Sequence, residues 1–160
     1  MNEIEIAINV PPLEELLKRT PQVKLRVRSS RDDNPPFTKE ALSQTKDYYN
    51  KPGIYIHLWE KTNKNTVVRY VGQTGVSFRN RLNSELTLVN GQCSKYFIDN
   101  LKNHVGKKDL STIFFDDEEI AKMVIASQEV KKNTGALRFL VEQAMTIAYS
   151  SEDMLNVHRS

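Results

Sequence analysis

Four segments of the chain have the residue pattern of β-strands. In VKLRVR (23–28), apolar residues alternate with basic ones, which predicts a strand with one buried face. GIYIHLW (53–59) and VVRYVG (67–72) are rich in β-branched and aromatic residues, and the polar turn EKTNKN separates them. This arrangement predicts an antiparallel β-hairpin. A further strand is predicted at STIFF (111–115).

Helices are predicted where a capping residue or a helix-initiating proline precedes apolar residues spaced three or four positions apart. An acidic block followed by lysines also favours a helix, because those charges complement the helix dipole. The predicted helices are LEELLKR after Pro11 and Pro12, one from Thr38 toward Tyr49, one after Ser77, one from Ser94 to Gly106, one from about Asp117 to Lys132, and ALRFLVEQAMTIAYS after Gly135.

Together these elements predict an α/β fold. Its core would be a small, mainly antiparallel, three-stranded sheet flanked by helices. The sequence Lys51-Pro52-Gly53 is a clear break, and it divides the chain into two parts. Residues 1–50 are predicted to be an N-terminal extension of helix, strand and helix packed on the core, and residues 51–160 to form the main domain.

Composition narrows the classes of protein to consider. No apolar stretch approaches the roughly 18 residues of a membrane span, and the acidic N-terminus is unlike a secretory signal. The single cysteine, Cys93, permits no internal disulfide and is expected to be a packed or unreactive thiol. A cytoplasmic location is therefore expected. Basic residues cluster between Lys18 and Arg31, which permits nucleic-acid binding but is also typical of solvated surfaces.

Polar residues of the predicted elements indicate a site without identifying its reaction. Tyr55 and Tyr70 fall on the paired strands, and Arg81 falls on the helix that follows them. Glu142 interrupts the nearly apolar last helix. Each residue also has an ordinary explanation: strand aromatics, a solvated helix charge and, for Glu142, a surface pair with Arg138. Residue type alone leaves both explanations open.

The order of these residues resembles the signature of the GIY-YIG endonucleases. Gly53-Ile54-Tyr55 gives the first triplet and Tyr70-Val71-Gly72 a common form of the second, followed by Arg81, Glu142 and Asn156. The resemblance covers about residues 53–157, roughly two-thirds of the chain. It implies the GIY-YIG fold and metal-dependent cleavage of the DNA backbone.

The resemblance also implies a role for each matched residue. Tyr55 corresponds to the general base or water-positioning group, and Tyr70 lines the site and assists by hydrogen bonding. Arg81 corresponds to the arginine that clamps phosphate and stabilises the transition state. Glu142 corresponds to the single acidic ligand of the metal ion, expected to be Mg²⁺ or Mn²⁺, and Asn156 to a late asparagine that supports the site.

Arg79 is a rival to Arg81 for the phosphate-binding role. Arg81 is preferred because the family's spacing places an aromatic or apolar residue three positions before the arginine and an apolar residue just after it. Phe78 and Leu82 fit that frame. Possible additional DNA contacts are Arg79, Gln73, Lys95 and Lys102.

The chain departs from some members of the family at two positions. Gln73 stands where some relatives have a lysine, and Glu85 where others have a histidine one turn after the arginine. His57, Lys61 or Lys64 could take over proton transfer, although each also fits an ordinary strand or turn position. Glu85 could contact the metal as a second ligand.

The expected function is a sequence-specific, double-strand DNA endonuclease of restriction type. A homodimer is possible, because one active site cuts one strand. The alternatives are a nicking or structure-specific repair nuclease, and a DNA-binding module whose nuclease site has decayed.

Overall fold

The hairpin predicted from GIYIHLW and VVRYVG is present and belongs to the larger of the two antiparallel sheets that the described residues form. The structure is a computed structural model that describes residues 2–61, 63–87 and 109–158. The described elements are, in chain order, β1 (Ala7–Ile8), α1 (Leu13–Lys18), β2 (Val23–Arg26), α2 (Lys39–Gln44), β3 (Gly53–Glu60), β4 (Thr66–Thr74), α3 (Phe78–Glu85), β5 (Asp109–Asp116), α4 (Asp117–Lys122), β6 (Val124–Ile125), α5 (Gln128–Lys131), α6 (Thr134–Ala148) and a 3-10 helix (Leu155–His158).

The prediction of a mixed α/β fold is confirmed, but the three-stranded sheet is wrong. The main sheet has four strands in the order β2-β5-β3-β4, and β1 pairs with β6 in a second sheet of two strands. The additional strand, β2, comes from the N-terminal extension and runs antiparallel to β5. Val23 and Leu25 on β2 are fully buried, so pairing with β5 places the apolar face of this strand inside the core.

The single long helix predicted from Asp117 to Lys132 is also wrong. It is divided into α4 and α5 by β6, which pairs with β1 through Ile8 and Val124. Val124 and Ile125 are β-branched and prefer extended backbone, and a partner strand is available there. The hydroxyl of Ser127 accepts a bond from Val130 N and starts α5 as a new helix.

Capping residues also start three other helices. Thr38 caps α2, Ser77 caps α3, and Asp116 forms a capping box with Glu119 at the start of α4. The helix predicted to run toward Tyr49 is shorter than expected, because α2 ends at Gln44 and turns follow. The predicted helix from Ser94 to Gly106, with Cys93, lies outside the described residues.

Contacts fix the N-terminal extension to the main sheet. Arg19 donates to the Phe114 carbonyl oxygen at 2.7 Å and forms an ion pair with Glu119. Tyr48 donates to the other carboxylate oxygen of Glu119 at 2.8 Å. The domain boundary at residue 50 stays a prediction, while β2 and these contacts join both sides of that boundary.

The alternation of β3 divides the apolar core into two clusters. Ile54, Ile56 and Leu58 face α6, whereas Tyr55 faces α3. On α6, the buried residues are spaced at helical intervals and belong to the first cluster: Leu137, Val141 and Met145. On α3, Phe78 and Leu82 belong to the second. Within the described ranges, no helix is long and apolar enough to cross a membrane.

Candidate active site

The β3–β4 hairpin places three aromatic rings together on the face covered by α3. The register pairs Tyr55 with Gly72 and His57 with Tyr70, so these four positions share one face of the sheet. The ring centroids of Tyr55 and Tyr70 are 6.2 Å apart, and those of His57 and Tyr70 are 6.0 Å apart. The two tyrosines of the predicted site therefore lie side by side, and both are buried.

Gly72 is required for this arrangement because the Tyr55 ring lies directly on it. A Cβ at this position would stand 2.7 Å from Tyr55 Cε2 and closer still to Cζ and Oη. Gly53 has a similar role against β5, where a Cβ would run into the Phe115 carbonyl oxygen and stand 2.8 Å from Phe78 Cζ. The glycines of both triplets thus allow close approach of neighbouring groups.

Arg81 and Glu85 reach Tyr55 from α3. They are one helical turn apart, so they project on the same side of the helix. Arg81 Nε donates to Tyr55 Oη at 3.2 Å, and Tyr55 Oη donates to Glu85 Oε1 at 2.6 Å. Arg81 Nη2 lies 3.9 Å from the same carboxylate oxygen. Arg81 thus lies on the face of the sheet that carries Tyr55 and Tyr70, in direct contact with Tyr55.

The other oxygen of Glu85 is bonded to His57. Glu85 Oε2 lies 3.0 Å from His57 Nε2, and a carboxylate can only accept, so the ring donates there. His57 Nδ1 lies 2.8 Å from Thr112 Oγ1 on β5 and accepts from that hydroxyl when the ring is neutral. Glu85, His57 and Thr112 are 4%, 1% and 0% exposed, so this chain of hydrogen bonds is inside the protein.

These surroundings keep Tyr55 protonated. Burial raises the pKa of Tyr55 well above its usual value of 10, and the nearby Glu85 carboxylate raises that pKa further. Arg81 acts in the opposite direction with a smaller effect. In this structure, Tyr55 is therefore a hydrogen-bond donor to Glu85 and an acceptor from Arg81.

Asn156 lies at the outer edge of β4. Its side-chain Oδ1 accepts from Val71 N, and its Nδ2 donates to Val71 O, each at 2.8 Å. The amide thus satisfies the two backbone groups of Val71 as a neighbouring strand would. Because Val71 follows Tyr70 in the chain, Asn156 holds the strand segment that carries the second tyrosine.

Glu142 is supplied by α6, on the other side of the sheet. It is half-buried and lies one helical turn after Arg138. The Arg138 guanidinium forms two hydrogen bonds with Asp117, at 2.9 and 2.7 Å, and lies beside Gly75 at the end of β4. Arg138 thus has Asp117 as a carboxylate partner.

The carboxylates differ in their suitability for a divalent cation. Glu85 is buried and bonded to Tyr55 and His57, whereas the half-buried Glu142 is in part accessible to solvent. A hard ion such as Mg²⁺ keeps several waters and needs few protein oxygens, so a single accessible carboxylate fits it. Across residues 2–61, 63–87 and 109–158, no group of three or more His, Cys, Asp or Glu side chains could hold a metal ion.

The predicted additional DNA contacts are only in part described. Arg79 is exposed, and its guanidinium lies 5.6 Å from the centre of the Tyr49 ring. Gln73 is half-buried on β4 and pairs with Ile54, so it is on the face opposite Tyr55. Lys95 and Lys102 lie outside the described residues.

No protein-family model, curated protein or solved structure matches this chain. The resemblance to GIY-YIG endonucleases therefore rests on the order of the residues in the sequence.

Sequence reasoning missed the roles of Glu85, His57 and Thr112. The sequence suggests Glu85 as a second metal contact and His57 as a substitute for proton transfer, whereas the structure bonds them to each other. Two signals were present: His57 is two residues after Tyr55 on one strand, and Glu85 is four residues after Arg81 on one helix. Thr112 left no signal, because its position depends on the pairing of β3 with β5.

Proposed function

We propose that this chain is a divalent-metal-dependent DNA endonuclease of the GIY-YIG type. The observation that carries the proposal is the 3.2 Å hydrogen bond from Arg81 Nε to Tyr55 Oη. Arg81 and the Tyr55 of the first triplet are 26 positions apart in the sequence, and this bond brings them together, as two residues of one active site must be. Tyr70 lies beside Tyr55, and Asn156 is bonded to the backbone of the residue that follows Tyr70, Val71.

Arg81 is suited to binding a phosphate group. Its side chain is 44% exposed, and its planar guanidinium can offer two parallel N–H bonds to phosphate oxygens. Arginine stays charged at all relevant pH values, so it can stabilise the negative charge that develops when the phosphodiester bond is broken. A lysine would supply the charge without the fork.

Glu142 would hold the metal ion, Mg²⁺ or Mn²⁺. A bound divalent ion polarises a phosphoryl oxygen and stabilises the leaving oxygen. Asn156 maintains β4, and Tyr70 lines the site. The proposed substrate is double-stranded DNA cut at specific sequences in the cytoplasm, and a homodimer would supply a second site for the other strand.

One observation favours a second candidate, a DNA-binding module that does not cut. Tyr55 is 0% exposed and keeps its proton, so the side chain expected to act as a base is not poised to accept one. A nicking or structure-specific repair nuclease differs from the leading proposal in substrate rather than in chemistry, so DNA digests separate these two.

The test is incubation of the protein with supercoiled plasmid and Mg²⁺. EDTA and Glu142→Gln are the negative controls, and Glu129→Gln is the matched control because Glu129 is an exposed residue of α5. Discrete linear fragments that disappear in both negative controls but persist in Glu129→Gln support a restriction-type nuclease. Open-circle product alone indicates a nicking enzyme. DNA that is retarded in a gel but not cut supports the binding module. The absence of both binding and cleavage refutes the proposal.

A further inference from the structure

We infer that Glu85, His57 and Tyr55 form a buried support that aims the Arg81 guanidinium at phosphate. On this view Tyr55 is a positioning residue and not the general base. The inference rests on the proposed nuclease function, and it adds a residue pair, Glu85 and His57, to which the sequence resemblance assigns no such task.

The chain of hydrogen bonds fixes the direction of each proton. Thr112 is bonded to His57, and His57 holds Glu85 Oε2, while Glu85 Oε1 faces Tyr55. The single proton of the Tyr55 hydroxyl points to that oxygen at 2.6 Å. A lone pair of Tyr55 Oη is then free to accept from Arg81 Nε at 3.2 Å.

This arrangement selects one orientation of the guanidinium. Nε is bonded to Tyr55, and Nη2 lies 3.9 Å from Glu85 Oε1. Each terminal nitrogen still has an N–H group on the side away from Nε, and these two groups can bind a phosphate end-on. An arginine held in place before substrate arrives loses less conformational entropy on binding. The support therefore stabilises the geometry in which Arg81 would meet the transition state.

The same contacts argue against Tyr55 as the base. A general base must come within hydrogen-bond distance of the proton that it removes. Tyr55 is 0% exposed, with Arg81 and Glu85 bonded to its oxygen and Gly72 against its ring. Ionisation of this phenol would also place a second negative charge 2.6 Å from a buried carboxylate oxygen.

Glu85→Gln separates positioning from a general electrostatic effect. The substitution removes a negative charge near the site where phosphate would bind. If Glu85 acted only through its charge, the variant would bind DNA more tightly and cut it at least as fast. If Glu85 positions Arg81, the cleavage rate falls although repulsion of the phosphate has been removed.

The kinetic experiment compares single-turnover cleavage and DNA affinity, the latter measured in EDTA. Glu85→Gln and Tyr55→Phe are expected to lower the cleavage rate on the order of 10- to 100-fold at undiminished affinity, with the pH dependence of the rate unchanged. In a protein that already carries Arg81→Ala, adding Tyr55→Phe is expected to lower the cleavage rate little further. The inference would be overturned if Tyr55→Phe cleaved at the wild-type rate, or if Tyr55→Phe lowered the rate by the same factor with and without Arg81→Ala. A changed pH dependence of the rate would also overturn it.

An NMR experiment tests the support independently of cleavage. In the wild-type protein without DNA, the Arg81 Nε proton is expected to exchange with water more slowly than that of exposed Arg79. Tyr55→Phe, which keeps the buried ring, should abolish that protection, and Glu85→Gln should weaken it. Protection that survives Tyr55→Phe overturns the inference even if the plasmid is cut. If the variants lose this protection as expected but the wild-type protein cuts no DNA, the buried support is upheld and only the nuclease function is refuted.

Discussion

Substitution of Gly72 by alanine tests whether the close approach of Tyr55 to β4 is necessary. The added methyl would overlap the phenol, with Cε2 at 2.7 Å and the ring carbon Cζ and the hydroxyl oxygen closer still. The ring cannot simply shift, because Tyr70, His57 and Phe78 lie around it with centroids 6.2, 5.3 and 6.4 Å away. Either β4 moves away from β3, or the ring moves and its hydroxyl leaves Glu85.

The expected cost is large for a single methyl group. Overpacking of a buried site typically costs about 1–3 kcal/mol. Loss of the Tyr55 bond leaves a buried carboxylate oxygen without that donor, which adds roughly 1–3 kcal/mol. The variant should therefore be destabilised by about 1–3 kcal/mol if only β4 moves and by up to about 6 kcal/mol if the hydroxyl also leaves Glu85, against the roughly 5–15 kcal/mol that stabilises a typical domain. The corresponding fall in Tm is roughly 2–20 °C for a chain of this size.

The assay is urea unfolding followed by circular dichroism, with Gly135→Ala as the matched control. Gly135 lies in the first turn of α6, where the nearest group to an added Cβ is the flexible end of Arg138 at 4.0 Å. Alanine there should be neutral or stabilise the helix by up to about 1 kcal/mol. A Gly72→Ala variant within about 0.5 kcal/mol of wild type would refute the reasoning about close packing.

Three further predictions follow from other contacts. Arg81→Ala should lower the cleavage rate by about 100-fold or more, and Arg79→Ala should cost less, because the Arg79 side chain lies over an aromatic ring outside the hydrogen-bonded cluster. Asn156→Ala should destabilise the protein by about 1–3 kcal/mol in urea unfolding, since it removes two bonds to the edge of β4. Burial and the bond to Glu119 raise the pKa of Tyr48 to about 12, so the folded state keeps a proton that the unfolded state loses above pH 10. Stability should therefore fall between about pH 10 and 12, by about 1 kcal/mol more than in Tyr48→Phe after allowance for solvent screening.

Each of these predictions has a contradicting result. A greater loss from Arg79→Ala than from Arg81→Ala would show that Arg79 is the phosphate ligand. An unchanged unfolding free energy for Asn156→Ala would mean that water replaces the amide without cost. Parallel stability curves for wild type and Tyr48→Phe above pH 10 would show that Tyr48 ionises equally in the folded and unfolded states.

Local patterns predicted the positions of most strands and several helix starts, but pairing between distant segments could not be read from them. The β3–β4 hairpin needs only the pattern of its own strands and a turn, and the capping hydroxyls of Thr38 and Ser77 act within one turn. Val124 and Ile125 are two β-branched residues, too few to predict a strand by themselves, and their pairing with β1 makes them one. That partner is more than 100 residues away, beyond the reach of any local rule.

The candidate site shows the same limit. The order of the motif residues indicated that Tyr55 and Arg81 belong to one site, and the structure places them in contact. The order of the residues could not show that Tyr55 donates to Glu85, since that bond depends on how α3 packs on the sheet. Glu85, suggested by the sequence as a second metal contact, is buried against His57. Glu142, the metal ligand that the resemblance implies, lies on α6.

The pairing of β2 with β5 has a consequence for synthesis of the chain. Val23 on β2 pairs with Thr112, so β2 leaves the ribosome long before its partner strand exists. Contacts between such distant residues are slow to form, because a long loop must close first. Until then, the apolar side chains of Val23 and Leu25, fully buried in the finished fold, have no sheet to cover them. Nascent chains at this stage expose a surface that chaperones recognise and that favours aggregation.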